Sequence, residues 1–247
     1  MILAVNIGNT NTICAVGARE NNRKSAMRTK EACQPEDFTT FLEEQFGADI
    51  WCLLQGCIIS SVVPAKTLVI VKAIHNKTRK PLQLIDISEC DMDFSVYKSK
   101  LGEDRIVCCM SAAAKYKAPI IVVDLGTATT FNIVSPDRVF LGGAILTGIQ
   151  TGLTALTRHT ALLPIVNDFS NVRLVGSDTE KSLVSGAIIG TACAIEGYVN
   201  RVQAQLGNIP TVIITGGNAP LVMPHCNFDF IYEPDLLING LFELYDN

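Results

Sequence analysis

Val5-Asn6-Ile7-Gly8-Asn9-Thr10-Asn11-Thr12 returns in the middle of the chain as Val123-Asp124-Leu125-Gly126-Thr127-Ala128-Thr129-Thr130. Each copy follows an apolar run, Ile2 to Val5 or Ile120 to Val123, reaches an amide or carboxylate, and turns at glycine into hydroxyl-bearing residues. Glycine lets backbone N–H groups approach an anion closely, and Asn and Thr side chains add donors. Either copy alone reads equally well as a tight hairpin turn. Two copies in a chain of 247 residues imply two related lobes, each opening on a strand-turn-strand suited to polyphosphate, and a boundary between 1–117 and 118–247.

Around the repeat, the pattern predicts strands over 2–6, 12–17 and 24–29 with a turn at 18–23, then a helix from Pro35 with Phe38, Phe41, Leu42 and Phe46 at helical spacing. A buried strand over 57–61, a helix over 64–76 facing inward through Leu68, Val71 and Ile74, and a strand over 82–85 follow. Gly102-Glu103-Asp104-Arg105 opens a helix with Ile106, Val107, Met110 and Ala114 toward the core. The second half repeats the meander with strands over 120–124, 129–135 and 139–141 and a turn at Pro136-Asp137. A Gly- and Thr-rich stretch over 142–152 then leads into a helix ending near Leu163-Pro164. Ser177-Asp178-Thr179-Glu180 starts a long helix whose Gly186, Gly190 and Gly197 suit close helix packing, within the chain or across a dimer, the former being the expectation. A strand over 211–215 and a terminal helix over 235–244 complete the second lobe.

Composition excludes several classes of function. Charged residues are 18% and hydrophobic ones 48%, the balance of a packed globular protein. A net charge of −4 with scattered Lys and Arg leaves no basic stripe for nucleic acid. The N-terminus lacks a basic flank and a signal-length apolar run, and no apolar run is expected to reach membrane-spanning length, so the expected location is cytoplasmic. Nine cysteines, an odd count without Cys-x-x-Cys, read mostly as reduced core residues, and three isolated histidines argue against a zinc site.

Asp104 is the best candidate for a general base, since it stands at a helix start beside Arg105 and after Gly102. Arg105 has the planar fork to clamp a carboxylate. Taken alone, the same residues read as an acid favouring the helix dipole and a solvated first-turn arginine.

Duplicated meander lobes with phosphate-gripping turns resemble the sugar kinase, Hsp70 and actin superfamily, whose members are α/β proteins of two RNase H-like lobes with ATP in the cleft between them. Gly8-Asn9-Thr10 is similar to the Asp-x-Gly-Asn-Thr motif of the type III pantothenate kinases. Gly102-Glu103-Asp104-Arg105 is similar to their Gly-x-Asp-Arg motif, and Asp124 to Thr130 to their Asp-x-Gly-Thr-Ala-x-Thr motif. Leu141 to Ile145, Thr160 to Pro164, Gly176 to Thr179 and Thr215-Gly216-Gly217 follow in the family's order, so the resemblance spans nearly the whole chain.

The resemblance implies ATP- and Mg2+-dependent phosphorylation of pantothenate, the first step toward coenzyme A, by a homodimer that needs K+ or NH4+. It implies Asp104 as the base, with Gly102, Glu103, Asp104, Arg105 and Thr179 meeting pantothenate, Thr179 from the partner subunit. Asn6, Ile7, Gly8, Asn9, Thr10, Asn11, Thr12, Ile13 and Thr127 would grip ATP, and Asp124 would ligate the monovalent cation. Three positions depart from the family pattern: Asn6 and Asn132 stand where Asp is usual, and Thr147 where Pro is. The substrate-contacting Tyr of the family falls at Ser95 here, while Tyr97 sits two residues on and is the displaced candidate. Two readings follow, a working kinase and a nucleotide-binding but inactive paralogue with an accessory role, the second resting on the loss of a charge at Asn6.

Overall fold

The computed structural model describes residues 1–19, 21–87 and 90–246, and the chain divides into two compact units, each built on a five-stranded mixed sheet. The first unit begins with the meander β1 (Ile2–Ile7), β2 (Asn11–Ala18) and β3 (Asn21–Arg28), in which neighbours run antiparallel. Ala18 pairs with Asn21, so the hairpin is tighter than the expected turn over 18–23; residue 20 lies outside the described residues. Helix α1 (Pro35–Phe46), the single turn α2 (Ile50–Leu53), β4 (Gly56–Ser61), α3 (Pro64–Lys77) and β5 (Leu82–Leu84) follow, and β4 and β5 add parallel to β1 to give the order β3-β2-β1-β4-β5. After residue 97 the chain returns to this unit with α4 (Glu103–Lys115).

The second unit repeats the plan. β6 (Ile120–Leu125), β7 (Ala128–Val134) and β8 (Phe140–Thr147) form the meander, helices α5 (Ile149–His159) and α6 (Thr179–Leu206) follow, and β9 (Thr211–Thr215) lies parallel to β6. The short helix α7 (Ala219–Val222) and β10 (Ile231–Tyr232) close the order β10-β9-β6-β7-β8. The two sheets therefore share strand order and strand directions, which is the duplication visible in the two turns.

The unit boundaries differ from a single cut at 117/118. The segment Asp93–Tyr97 belongs to the second unit, and the terminal helix α8 (Leu236–Asp246) belongs to the first. α8 packs Ile238, Leu241 and Phe242 with Val107 of α4 on Ala4, Ala15 and Ile58 of the first sheet. The opposite face of that sheet buries Leu3, Val5, Ile7, Cys14, Cys57 and Ile59 against α1 and α3. Each such side chain fully removed from water contributes roughly 1.5–3 kcal/mol before entropy is set against it.

Helix α3 buries Ile70, Ala73 and Ile74 with Val71 packed beside them, and Leu68 is 74% exposed, so of the three residues expected to face inward only Leu68 faces out. On α4 the buried set is Ile106, Val107, Cys108, Cys109, Ser111 and Ala112, while Ala114 is exposed. β8 continues through the Gly-rich stretch to Thr147 because Ala144, Ile145, Leu146 and Thr147 complete the ladder with β7. α5 ends at His159, before the expected stop near Leu163.

α6 starts on Asp178, whose Oδ1 accepts the N–H of Lys181 at 2.8 Å, and stops at Gly207 in the left-handed region, φ 69°. It is long and apolar enough by length and composition to cross a membrane, with mean hydropathy 1.4 over 18 residues, which corrects the expectation that no run approaches that length. Its inner face carries Val184, Ile188, Ala192, Ile195, Val199 and Val202 into the core of the second unit, and 33% of the apolar window is buried inside the chain. At Gly186 and Gly190 a Cβ would meet nothing within 4 Å, so the close packing expected within the chain does not occur there.

Candidate functional site

In the first unit, β1 delivers Asn6 and Ile7 to the turn Gly8-Asn9-Thr10, and Gly8 donates its N–H to the carbonyl of Asn11 at 3.0 Å. Alternation puts Ile7 and Thr12 on the face packed by α1 and α3, where both are fully buried. Their side chains hold the turn from below; neither is presented to a ligand. Asn9 and Asn11 are exposed at the rim, and Asn6, Gly8 and Thr10 are half-buried. Ile13, half-buried, packs on the face carrying α4 and α8.

Thr29, buried at the start of a short 3-10 turn (Thr29–Glu31), reaches this loop with three hydrogen bonds. Its hydroxyl donates to the Gly8 carbonyl at 2.7 Å, its N–H donates to the Thr10 carbonyl at 3.0 Å, and its Oγ1 lies 3.1 Å from Oγ1 of Thr12. One hydroxyl carries one proton, so Thr12 is the donor in that last pair.

The start of α4 joins the same strand ends. Asn6 of β1 is opposite Ser60 of β4, and Ile7 opposite Ser61. The Ser61 N–H donates to Oε2 of Glu103 at 2.7 Å, and the Val62 N–H to the Ile7 carbonyl at 3.1 Å. The turn at Gly8 and the helix start at Glu103 are thus held to neighbouring strands. The hydroxyl of Ser60, fully buried beside Asn6, is without a hydrogen-bond partner.

Asp104 is half-buried on this helix start, and its Oδ1 accepts the Arg105 N–H at 2.8 Å. Burial pushes its carboxyl above the usual carboxylate range, against the N–H and the Arg105 guanidinium, which pull it down. A Cβ at Gly102 would lie 2.6 Å from that same Oδ1, so the glycine makes room for the Asp104 carboxylate itself. Glu103 is also raised, chiefly by burial, with its Ser61 hydrogen bond opposing.

In the second unit Asp124 stands near the end of β6, opposite Thr130 of β7 and Thr215 of β9. Gly126 donates its N–H to the Ala128 carbonyl at 3.1 Å, the counterpart of the Gly8 bond, and Thr127 is exposed at the turn. The carbonyls of this loop are held from behind: Asn218 binds those of Leu125, through its N–H at 2.9 Å, and Gly126, through Nδ2 at 3.0 Å. The Thr127 carbonyl accepts from the Gly148 N–H at 3.1 Å and the Thr151 hydroxyl at 2.7 Å. Gly216, at φ 95°, lies so close that a Cβ there would come within 2.4 Å of Asp124 Oδ1. One carboxylate beside loop carbonyls is an all-oxygen donor set, which fits a hard cation, although the Thr127 carbonyl already accepts twice.

Asn132 is buried, and its Nδ2 donates to Thr130 Oγ1 at 3.0 Å and the Val122 carbonyl at 3.5 Å, a role in the sheet that needs a donor. Tyr97 lies edge-on to Phe140 with ring centroids 5.4 Å apart and packs on Gly142. Thr179 is the exposed first residue of α6. Among the described residues no group of three His, Cys, Asp or Glu is placed to hold a metal ion, and all nine cysteines are free.

Sequence reasoning passes over Thr29, Gly148, Thr151 and Asn218, which act through hydrogen bonds to loop carbonyls. Only Thr29 leaves a trace, a residue buried at the end of a strand that is otherwise mostly polar and exposed.

The chain matches the family model described as type III pantothenate kinase over residues 2–201. It is 35% identical to a type III pantothenate kinase of Hyphomonas neptunium over 256 residues, covering 99% of this chain and 98% of that one. A second, from Desulfatibacillum aliphaticivorans, is 34% identical over 258 residues, covering 100% and 98%. Among solved structures, a putative Baf family transcriptional activator from Campylobacter jejuni superimposes with TM-score 0.64 at 21% identity over 99% of this chain and 97% of that one. A putative 2-dehydro-3-deoxygalactonokinase from Sinorhizobium meliloti does so with TM-score 0.58 at 14% identity over 99% and 96%. These two likenesses concern the fold, the two-lobed sugar kinase and actin type.

Proposed function

The chain belongs to the type III pantothenate kinase family, whose activity is ATP-dependent phosphorylation of pantothenate on the way to coenzyme A, and we propose that Asp104 is the base through which this chain performs it. The observation that carries the reading is the placement of Asp104. Its carboxylate is raised by burial, oriented by the Arg105 N–H, and fixed to the strand end that also leads into the Gly8 turn.

A carboxylate held above its usual range is the stronger base when ionised. It takes the proton of the primary hydroxyl as that oxygen bonds to the γ-phosphorus and the bond to the bridging oxygen of ATP breaks, releasing ADP. Mg2+ on the phosphates supplies charge neutralisation. Arg105 clamps the pantothenate carboxylate, with Gly102 and Glu103 shaping that end of the site. The turn from Asn6 to Ile13, and Thr127 in its own turn, are assigned to the triphosphate, mainly through backbone N–H groups. Asp124, with the carbonyls of its loop, is assigned to K+ or NH4+.

A homodimer is the proposed assembly. Only 33% of the apolar window of α6 is buried inside the chain, and Gly186 and Gly190 stand open on its outer face, which supports a second copy lying there. Thr179, at the exposed start of the same helix, would then reach the partner's pantothenate. Tyr97, anchored on Phe140, is the aromatic candidate for that substrate. The proposed location is the cytoplasm.

The test is a coupled assay of the purified chain with ATP, Mg2+ and pantothenate in K+ or Na+. Turnover that disappears in Asp104→Asn supports the reading, and equal turnover in that variant removes Asp104 from the base position.

A further inference from the structure

We propose that Thr29, which lies in none of the motifs above, is the positioning residue that aims the first phosphate turn. The inference rests on the reading of that turn as an ATP grip and says how the grip is held in shape. A trans peptide unit is planar, with its C=O and N–H pointing in opposite directions. The Thr29 hydroxyl fixes the Gly8 carbonyl at 2.7 Å, so the N–H of the same peptide unit, that of Asn9, points away from Thr29. The Thr29 N–H fixes the Thr10 carbonyl at 3.0 Å, so the N–H of Asn11 points away as well.

One buried residue thereby turns two carbonyls inward. The N–H groups of Asn9 and Asn11 then point away from Thr29, on residues whose side chains are exposed. For an anion both halves matter: two backbone donors are turned away from the carbonyls' side, and the partial negative charge of the carbonyls is kept from it. Thr12 completes the device. Its own buried hydroxyl donates to Thr29 Oγ1 at 3.1 Å, which leaves the Thr29 proton committed to Gly8. Both hydroxyls are buried in an environment where an unmade hydrogen bond is costly, so this orientation is kept before ligand arrives. Thr29 does not touch ATP; it acts through Gly8 and Thr10.

Thr29→Val keeps the shape of the side chain and removes the hydroxyl, whereas Thr29→Ser keeps the hydroxyl and removes the methyl. The steady-state KM for ATP, the KM for pantothenate and the thermal midpoint are measured on the full chain for both. Thr29→Val is expected to raise KM for ATP by about tenfold, the scale of one buried hydrogen bond, and to leave KM for pantothenate within about twofold. Thr29→Ser is expected to restore KM for ATP to within about twofold of the unaltered chain. A folded Thr29→Val with unchanged KM for ATP, or a folded Thr29→Ser as impaired as the valine variant, overturns the proposal, since the hydroxyl would then be irrelevant. If Thr29→Val does not fold, Thr12→Val takes its place, with a few-fold rise in KM for ATP expected and no change overturning it. Calorimetric titration with ADP separates this inference from the assignment of activity. If the unaltered chain binds ADP without turnover, ADP affinity in the same variants is compared in place of KM, with the same expectations. If it neither turns over nor binds ADP, the turn is not a nucleotide grip and the proposal falls with that reading.

Discussion

Glu103 accepts the backbone N–H of Ser61 through Oε2 at 2.7 Å, which joins the first turn of α4 to the last residue of β4. Ser61 lies opposite Ile7, the residue before Gly8, so a single side chain ties the helix that carries Asp104 to the strand that feeds the phosphate turn. In the family pattern Gly-x-Asp-Arg this is the open position. Here it anchors the helix start by accepting a backbone donor at the strand end.

Removing that acceptor should loosen Asp104 without touching its chemistry. Glu103→Ala is expected to lower kcat by about tenfold and the thermal midpoint by several degrees, the scale of a lost hydrogen bond to a charged group, ~1.5–3 kcal/mol. Glu103→Gln keeps an oxygen in place and is expected to retain most of both. Steady-state kinetics beside thermal unfolding reads the pair, and an alanine variant indistinguishable from the unaltered chain would show that the helix start is held by other contacts.

Asp104 carries a pH prediction with a definite sign. Its carboxyl is raised by burial, so the native state holds the proton more firmly than the unfolded chain does. Stability contributed by this group is therefore fully present below its ordinary value and declines as pH rises through the window up to the raised one. Activity runs the other way, because the base must be ionised. The acidic limb of kcat/KM is expected above the ordinary carboxylate range near ~4. Asp104→Asn, which still offers an oxygen to the Arg105 N–H, is expected to lose about 10²–10⁴ in kcat and to gain thermal stability at neutral pH. Loss of stability in that variant would show that the charge is satisfied in place.

The duplication is legible in the sequence because it is local: two apolar runs end in a glycine turn, and both hairpins form where the pattern puts them. β4, up to Ile59, and β9 are legible as apolar runs because parallel strands are buried on both faces. Periodicity misplaces Leu68 on α3 because apolar residues surround that helix start, and only the packing of Ile70, Ala73 and Ile74 chooses the inward face. The glycines of β8 cut the expected strand short, yet their weak strand preference is overridden by the ladder with β7. The return of α8 to the first unit, and the bonds of Thr29 across 21 residues and Glu103 across 42, are contacts that no window of sequence contains.

Gly216 bears directly on the cation assignment. It holds φ 95°, and an added Cβ would lie 2.4 Å from Asp124 Oδ1 and 2.6 Å from the Leu125 nitrogen, so Gly216→Ala must displace the carboxylate or the loop. The expected result is loss of any stimulation by K+ over Na+, with kcat reduced toward the Na+ level. Retained K+ stimulation in Gly216→Ala would place the cation elsewhere.

Asn6 offers a gain-of-charge experiment. It faces the same side of the sheet as Ser60, whose buried hydroxyl has no partner, and Asn6→Asp would add both an acceptor for that hydroxyl and a negative charge near the metal-bound phosphates. The variant is expected to need several-fold less Mg2+ for half-maximal turnover, since carboxylates are the preferred ligands of that ion. An unchanged Mg2+ requirement would mean that residue 6 does not reach the metal or its waters.

The outer face of α6 decides between a monomer and a pair. A side chain added at Gly190 would meet nothing within 4 Å, so Gly190→Arg is accommodated by the single chain at a cost no larger than any helix surface change. If a second copy lies on this face, however, the arginine has to be buried against it, unpaired, which is prohibitive for an apolar interface. Light scattering should therefore report a dimer for the unaltered chain and a folded monomer for Gly190→Arg. Because Thr179 begins the same helix, the monomer should also show a raised KM for pantothenate with KM for ATP preserved. A Gly190→Arg protein that stays dimeric would move the interface to another surface and with it the assignment of Thr179.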